Sequence, residues 1–140
     1  MCGIAGLIHR GKSSNVGEEL QNMLQALKHR GPDSTGYALY ANNDGQNFIM
    51  RFKVGENVGE GSTSVNEDES VYDKRKKLVD QMLVELGAKI IKDEKLTPYS
   101  FRYEMQFDKD LMEFSKKIES IESVEILSIG KSLELIKDLG

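Results

Sequence analysis

The 140-residue chain has no tryptophan, one cysteine, two prolines and two histidines, and its charges nearly cancel at a net −4. Each scarcity removes a class of function. A single cysteine leaves no internal disulfide framework and no multi-cysteine zinc site, and it fits a reducing compartment. Two histidines without a His-x-x-x-His spacing give no metal-ligand pattern, so neither a metal nor a cofactor is expected. Mixed charge with a slightly acidic total offers no electrostatic footprint for nucleic acid. The first apolar run is broken by His9 and Arg10, too early for a signal peptide or a membrane span. A cytoplasmic chain is the expectation, long enough for one medium domain or two small ones.

The lone cysteine is Cys2, directly behind Met1. A small residue there permits removal of the methionine, leaving a thiol and a free α-amine on one residue. The amine, with an ordinary pKa of about 7.7–8, can accept the thiol's proton and return it, so nucleophile and base need no second side chain. Alone, an N-terminal cysteine is equally a small apolar residue opening a strand. A second segment weighs against that reading: Lys28-His29-Arg30-Gly31-Pro32-Asp33-Ser34-Thr35-Gly36-Tyr37. Its Arg30 and Asp33 can be held by charge-assisted hydrogen bonds around a turn, although a capped helix end with a turn-forming aspartate has the same residues. His9 and His29 are expected to be structural, because the amine already fills the role of base. Gly130-Lys131-Ser132 ends like a phosphate loop, but the upstream glycine position holds Glu125, which excludes that motif. Lys74 to Lys77 reads as a solvated helix face.

Together, Met1-Cys2-Gly3-Ile4-Ala5-Gly6 and His29-Arg30-Gly31-Pro32-Asp33-Ser34-Thr35-Gly36 resemble the N-terminal-nucleophile (class II) glutamine amidotransferases. That class includes asparagine synthetase, amidophosphoribosyltransferase, glucosamine-6-phosphate synthase and the glutamate synthase large subunit. The Pro-Asp-Ser form is nearest to asparagine synthetases and to archaeal glutamate-synthase-type amidotransferases, and the segment from Ile126 to Gly140 also resembles the latter. The resemblance implies that Cys2 attacks the side-chain amide of glutamine and forms a thioester. It implies that Arg30, Gly31 and Asp33 support the surrounding site, and that a synthase domain or subunit receives the ammonia. Self-association into a homo-oligomer is compatible with it. The family's glutamine-binding arginine motif, its oxyanion Asn-Gly pair and its downstream aspartate motif have no counterpart here. The chain is therefore expected to be an N-terminal portion, inactive until completed. The competing expectation is a non-catalytic regulatory or assembly module.

Residues 3–9 read as a short buried strand. Asn15 and Glu18 have the spacing of a capping box, and Leu20, Met23, Leu24 and Leu27 follow at helical spacing over about 16–29. Strands are expected at 35–41 and 47–54 around an Asn43-Asp44-Gly45 turn, then an exposed loop over 55–70. A helix from Ser70 carries Leu78, Val79, Met82, Leu83 and Leu86 and closes at Gly87. Strands at 88–93 and 99–107 precede a helix opened by Asp108 or Asp110, with Leu111, Phe114, Ile118 and Ile121 on one face. Val124 to Ile129 makes a further strand. The order β-α-β-β-α-β is that of a ferredoxin-like unit. The expected fold is α/β (α+β). Residues 1–46 would start an αββα four-layer amidotransferase domain, 47–130 would form the ferredoxin-like insertion, and 131–140 a truncated return to the first domain.

Overall fold

The computed structural model describes residues 3–10, 15–30, 34–40, 46–55 and 69–139. Cys2, the Gly31-Pro32-Asp33 turn, the Asn43-Asp44-Gly45 turn and most of the 55–70 loop lie outside the described residues. The chain is mixed α and β and divides into two compact units. One comprises Met1–Thr35 with Asp138–Gly140, the other Gly36–Lys137.

The larger unit is built on an apolar alternation. Strand β2 (Phe48–Lys53) presents Met50 and Phe52 to one face, and β4 (Ser100–Gln106) presents Phe101, Tyr103 and Met105 to the same face. With β3 (Lys89–Lys95) and β5 (Glu125–Gly130) they form an antiparallel sheet in the order β3-β4-β2-β5. Helices α2 (Glu69–Glu85) and α3 (Leu111–Ile118) both cover that face. Val79 and Leu83 of α2, with Phe114 and Ile118 of α3, are fully buried in one cluster with the sheet residues. Phe52 stacks on Phe101 at 5.4 Å and meets Tyr103 edge-on at 5.0 Å, geometries that aromatic quadrupoles favour. Leu78, placed on the apolar stripe by its spacing, is 49% exposed. The stripe is one residue narrower than the sequence suggests.

Helix ends follow backbone chemistry. Gly87 takes φ +85°, a conformation that costs glycine little. Ala88 N–H donates to Leu83 C=O (2.9 Å) and Gly87 N–H to Val84 C=O (3.0 Å), the paired bonds of a Schellman stop. Lys109 Nζ donates to Leu86 C=O at 2.9 Å, placing a cation where the helix dipole is negative. Asp110, rather than Asp108, caps α3, its Oδ1 accepting from Met112 N and Glu113 N at 2.7 and 2.8 Å.

Three features depart from expectation. Residues 3–10 belong to neither described sheet, and Ile4 and Ile8 are 93% and 89% exposed. The apolar run has the composition of a buried strand but no neighbouring strand or covering layer in the description. Before α1 (Val16–Leu27), Asn15 makes no side-chain cap to the backbone. Its Nδ2 instead donates to Glu18 Oε2 at 2.8 Å, so the two capping-box side chains pair with each other. One strand was not expected: β6 (Leu133–Leu139), which pairs with β1 (Ser34–Tyr40) in a separate two-stranded sheet. Asp110→Ala should lower stability in urea denaturation by about 1 kcal/mol, the loss of two backbone donors' acceptor.

Candidate functional site

In the smaller unit, residues 3–10 lie along α1. A Cβ built on Gly3 would sit 3.3 Å from Leu27 Cβ and 3.5 Å from Arg30 Cβ. Six residues later, His9 Nε2 is 3.0 Å from Glu19 Oε2. Residues of odd number thus face the helix, with its last turn beside Gly3 and its first beside His9. Ala5 and Leu7 are half-buried on that side. A Cβ on Gly6 would meet nothing within 4 Å, so the even-numbered face is open. Arg30 ends a short 3₁₀ turn (Lys28–Arg30) that extends α1. The residue that follows Cys2 in sequence is therefore packed against the start of the Arg30-Gly31-Pro32-Asp33 segment. Cys2, Gly31 and Asp33 lie outside the described residues. His9 is tied to Glu19, in keeping with a structural role. Among the described residues, no group of His, Cys, Asp or Glu could hold a metal ion.

The most developed polar cluster lies on the second face of the four-stranded sheet. Arg51 of β2 stands opposite Arg102 of β4 in register, an arrangement that is repulsive unless an anion intervenes. Glu134 of β6 supplies it. It accepts from Arg51 Nε at 2.6 Å and from Arg102 Nε and Nη2 at 3.0 and 2.9 Å. Arg102 Nη1 also donates to Glu94 of β3 at 2.8 Å. Glu134 is 6% exposed. The Arg102 bonds hold its carboxyl below the usual glutamate range, against the opposing effect of burial, with Arg51 adding to them. Leu135 N–H donates to Ser128 Oγ at 3.0 Å, fixing β6 to β5 beside the ion cluster. A carboxylate so held is neither an acid nor a base near neutral pH. It clamps β6 to the sheet.

A second network lies at the α2 side. The buried Tyr103 hydroxyl donates to Asp80 Oδ1 at 2.6 Å, and Lys76 Nζ donates to Asp80 and Asp93 at 3.0 and 2.8 Å. Burial, reinforced by the Asp80 bond, pushes the Tyr103 phenol far above its ordinary range, so it stays protonated. Sequence reading missed Arg51, Arg102 and Glu134. Their signal was available: single charges inside the apolar strands Phe-Ile-Met-Arg-Phe-Lys, Ser-Phe-Arg-Tyr and Leu-Glu-Leu-Ile.

Residues 1–56 match the glutamine amidotransferase domain family. The match spans Cys2, the α1 segment and Arg30 to Asp33. Over the whole chain, a Methanothermobacter thermautotrophicus protein with a provisional glutamine amidotransferase name is 32% identical across 151 aligned positions. The chain spans 44% of that relative's length. A Methanocaldococcus jannaschii protein, provisionally named a glutamine-hydrolysing asparagine synthetase, is 50% identical over 40 residues, 29% of this chain and 8% of that protein. Among the described residues, no helix is long and apolar enough to cross a membrane.

Gly3→Val should crowd Leu27 and Arg30 at a cost of about 1–3 kcal/mol. It would be seen as faster amide exchange in α1 with α2 unchanged. Glu134→Gln should cost about 3 kcal/mol at neutral pH, because Arg51 loses its carboxylate partner and Arg102 keeps only Glu94 in a site with little solvent. The native carboxyl titrates below its unfolded value, so its contribution is complete above the ordinary glutamate pKa, about 4.3. It fades as pH falls through the lowered native value. Urea denaturation from acid to neutral pH should therefore show the wild-type advantage over Glu134→Gln constant at neutral pH and shrinking in acid.

Proposed function

We propose that this chain supplies the nucleophile-bearing part of a class II glutamine amidotransferase. The match of residues 1–56 to the amidotransferase domain family carries the reading. In it, Cys2 has lost Met1, and its α-amine takes the thiol proton as sulfur attacks the side-chain carbonyl carbon of glutamine. The tetrahedral intermediate collapses as the C–N bond breaks, with the amine returning the proton to the departing ammonia. Water, deprotonated by the same amine, then adds to the thioester carbonyl, and glutamate is released as the C–S bond breaks and the amine returns that proton to the Cys2 sulfur. Arg30, Gly31 and Asp33 shape the site as supports. The packing of Gly3 against Arg30 favours this assignment, since it joins the two motifs within one unit. Ammonia passes to a synthase domain or subunit, one resembling glutamate synthase.

The same reading treats residues 1–46 as the start of the αββα domain and 47–130 as a ferredoxin-like insertion. The β2-α2-β3-β4-α3-β5 order, the β3-β4-β2-β5 arrangement and the two helices on one face support the second assignment. Residues 131–140 then lead back to the first domain. No Asn-Gly pair occurs in the sequence, and loss of one oxyanion donor alone lowers rate by about 10²–10³. The isolated chain should accordingly show only trace glutaminase activity. In the completed protein, a diazo-ketone glutamine analogue should label Cys2, and Cys2→Ser should abolish both labelling and turnover. Undiminished glutaminase activity in Cys2→Ala, or Met1 retained on the active protein, would overturn the mechanism and favour an assembly or regulatory module.

A further inference from the structure

We propose that Glu134 is a positioning residue: by holding β6 on the sheet it holds β1, the strand that follows Arg30 to Asp33 in sequence. The chain passes between its two compact units twice, once after Thr35 and once after Lys137. Both passages lie inside strands, the first in β1 and the second in β6, and those two strands pair with each other. On the Gly36–Lys137 side, a Cβ built on Gly36 would lie 3.6 Å from the Ile136 carbonyl oxygen. Ile136 is two residues beyond Glu134, and Gly36 is three residues beyond Asp33. A two-stranded sheet has little stability of its own in water, so its order depends on what anchors it. The anchor is Glu134, which accepts from Arg51 and Arg102 on the two central strands β2 and β4. Arg102 is itself aimed by Glu94, 2.8 Å from its Nη1, and Leu135 N–H adds a bond to Ser128 Oγ of β5. Charge-assisted guanidinium–carboxylate bonds fix direction as well as distance. The position set at Glu134 is therefore carried along β6 to β1. Its consequence for turnover rests on the amidotransferase reading; the coupling of Glu134 to β1 does not.

Amide hydrogen exchange on the 140-residue chain tests the coupling with no catalysis involved. The comparison variant is Leu83→Ala, which leaves a cavity in the core on the opposite face of the sheet and keeps the Glu134 bonds. Both variants should weaken the larger unit toward urea, but only Glu134→Gln should loosen the β1–β6 pair. In Glu134→Gln, the amides of residues 36–40 should exchange at least about 10-fold faster than in Leu83→Ala, because local opening no longer has to break charge-assisted bonds. Glu134→Asp, which keeps the charge, should fall between Glu134→Gln and wild type. In the completed protein, Glu134→Gln should lower kcat by about 10- to 100-fold with the KM for glutamine within about 2-fold, since displacement by about 1 Å can cost 100-fold in rate. Leu83→Ala should keep the wild-type kcat. Equal β1 exchange in the two variants, or an active protein whose kcat is unchanged by Glu134→Gln, would overturn the inference. Faster β1 exchange in Glu134→Gln, with a completed protein that never hydrolyses glutamine, would uphold the coupling and sink only the catalytic reading.

Discussion

A four-stranded sheet has two faces, and two helices on one of them leave the other to be covered by something else. Here the cover is set by a carboxylate between two guanidiniums. Arg51 and Arg102 stand side by side in register, and Glu134 bonds to both. Without that anion the sheet would hold two like charges next to each other at its centre. With it, the repulsion becomes the attachment point for β6. Buried ion pairs gain little net free energy against apolar replacements but are costly to break from one side. Their value in this position is directional: only a strand that brings its acidic residue to the arginine pair satisfies both.

The consequences reach the amidotransferase segment through chain connectivity. β6 pairs with β1, and β1 begins at Ser34, the next residue in sequence after Asp33. The ion cluster thus fixes the strand beside the one into which the motif runs. It does so without offering reactive groups of its own. Lys76 is engaged by Asp80 and Asp93, and the Tyr103 phenol is kept neutral. The Gly36–Lys137 unit supplies packing and register.

The sequence was readable where one physical rule governs one element. Helical spacing located α2 and α3, and the Gly87 stop has the backbone bonds that glycine there implies. Alternation located β2 and β4. Rules needing a distant partner failed. The strand expected at 3–9 has the right residues but no ladder among the described residues, because a strand is a relation between segments. The capping box, a local rule, failed for another reason: Asn15 and Glu18 bond each other instead of the backbone. Glu134 escaped notice because a lone charge in Leu-Glu-Leu-Ile acquires meaning only when two arginines from residues 51 and 102 face it. Of the candidate site, Cys2 and the Arg30 motif were legible as a resemblance. The contact joining their segments, Gly3 on Arg30, was not.

An N-terminal cysteine that carries its own base places unusual demands on the protein around it. On the proposed function, no histidine or carboxylate has to be aimed at the thiol, so the protein around Cys2 has only to position its segment and to provide donors for the developing oxyanion. The smaller unit lays residues 3–10 along α1, with Gly3 close enough to Leu27 that a Cβ there would press on it. It has little interior with which to hold that segment: among the described residues α1 has none that is fully buried, and Ile4 and Ile8 face outward.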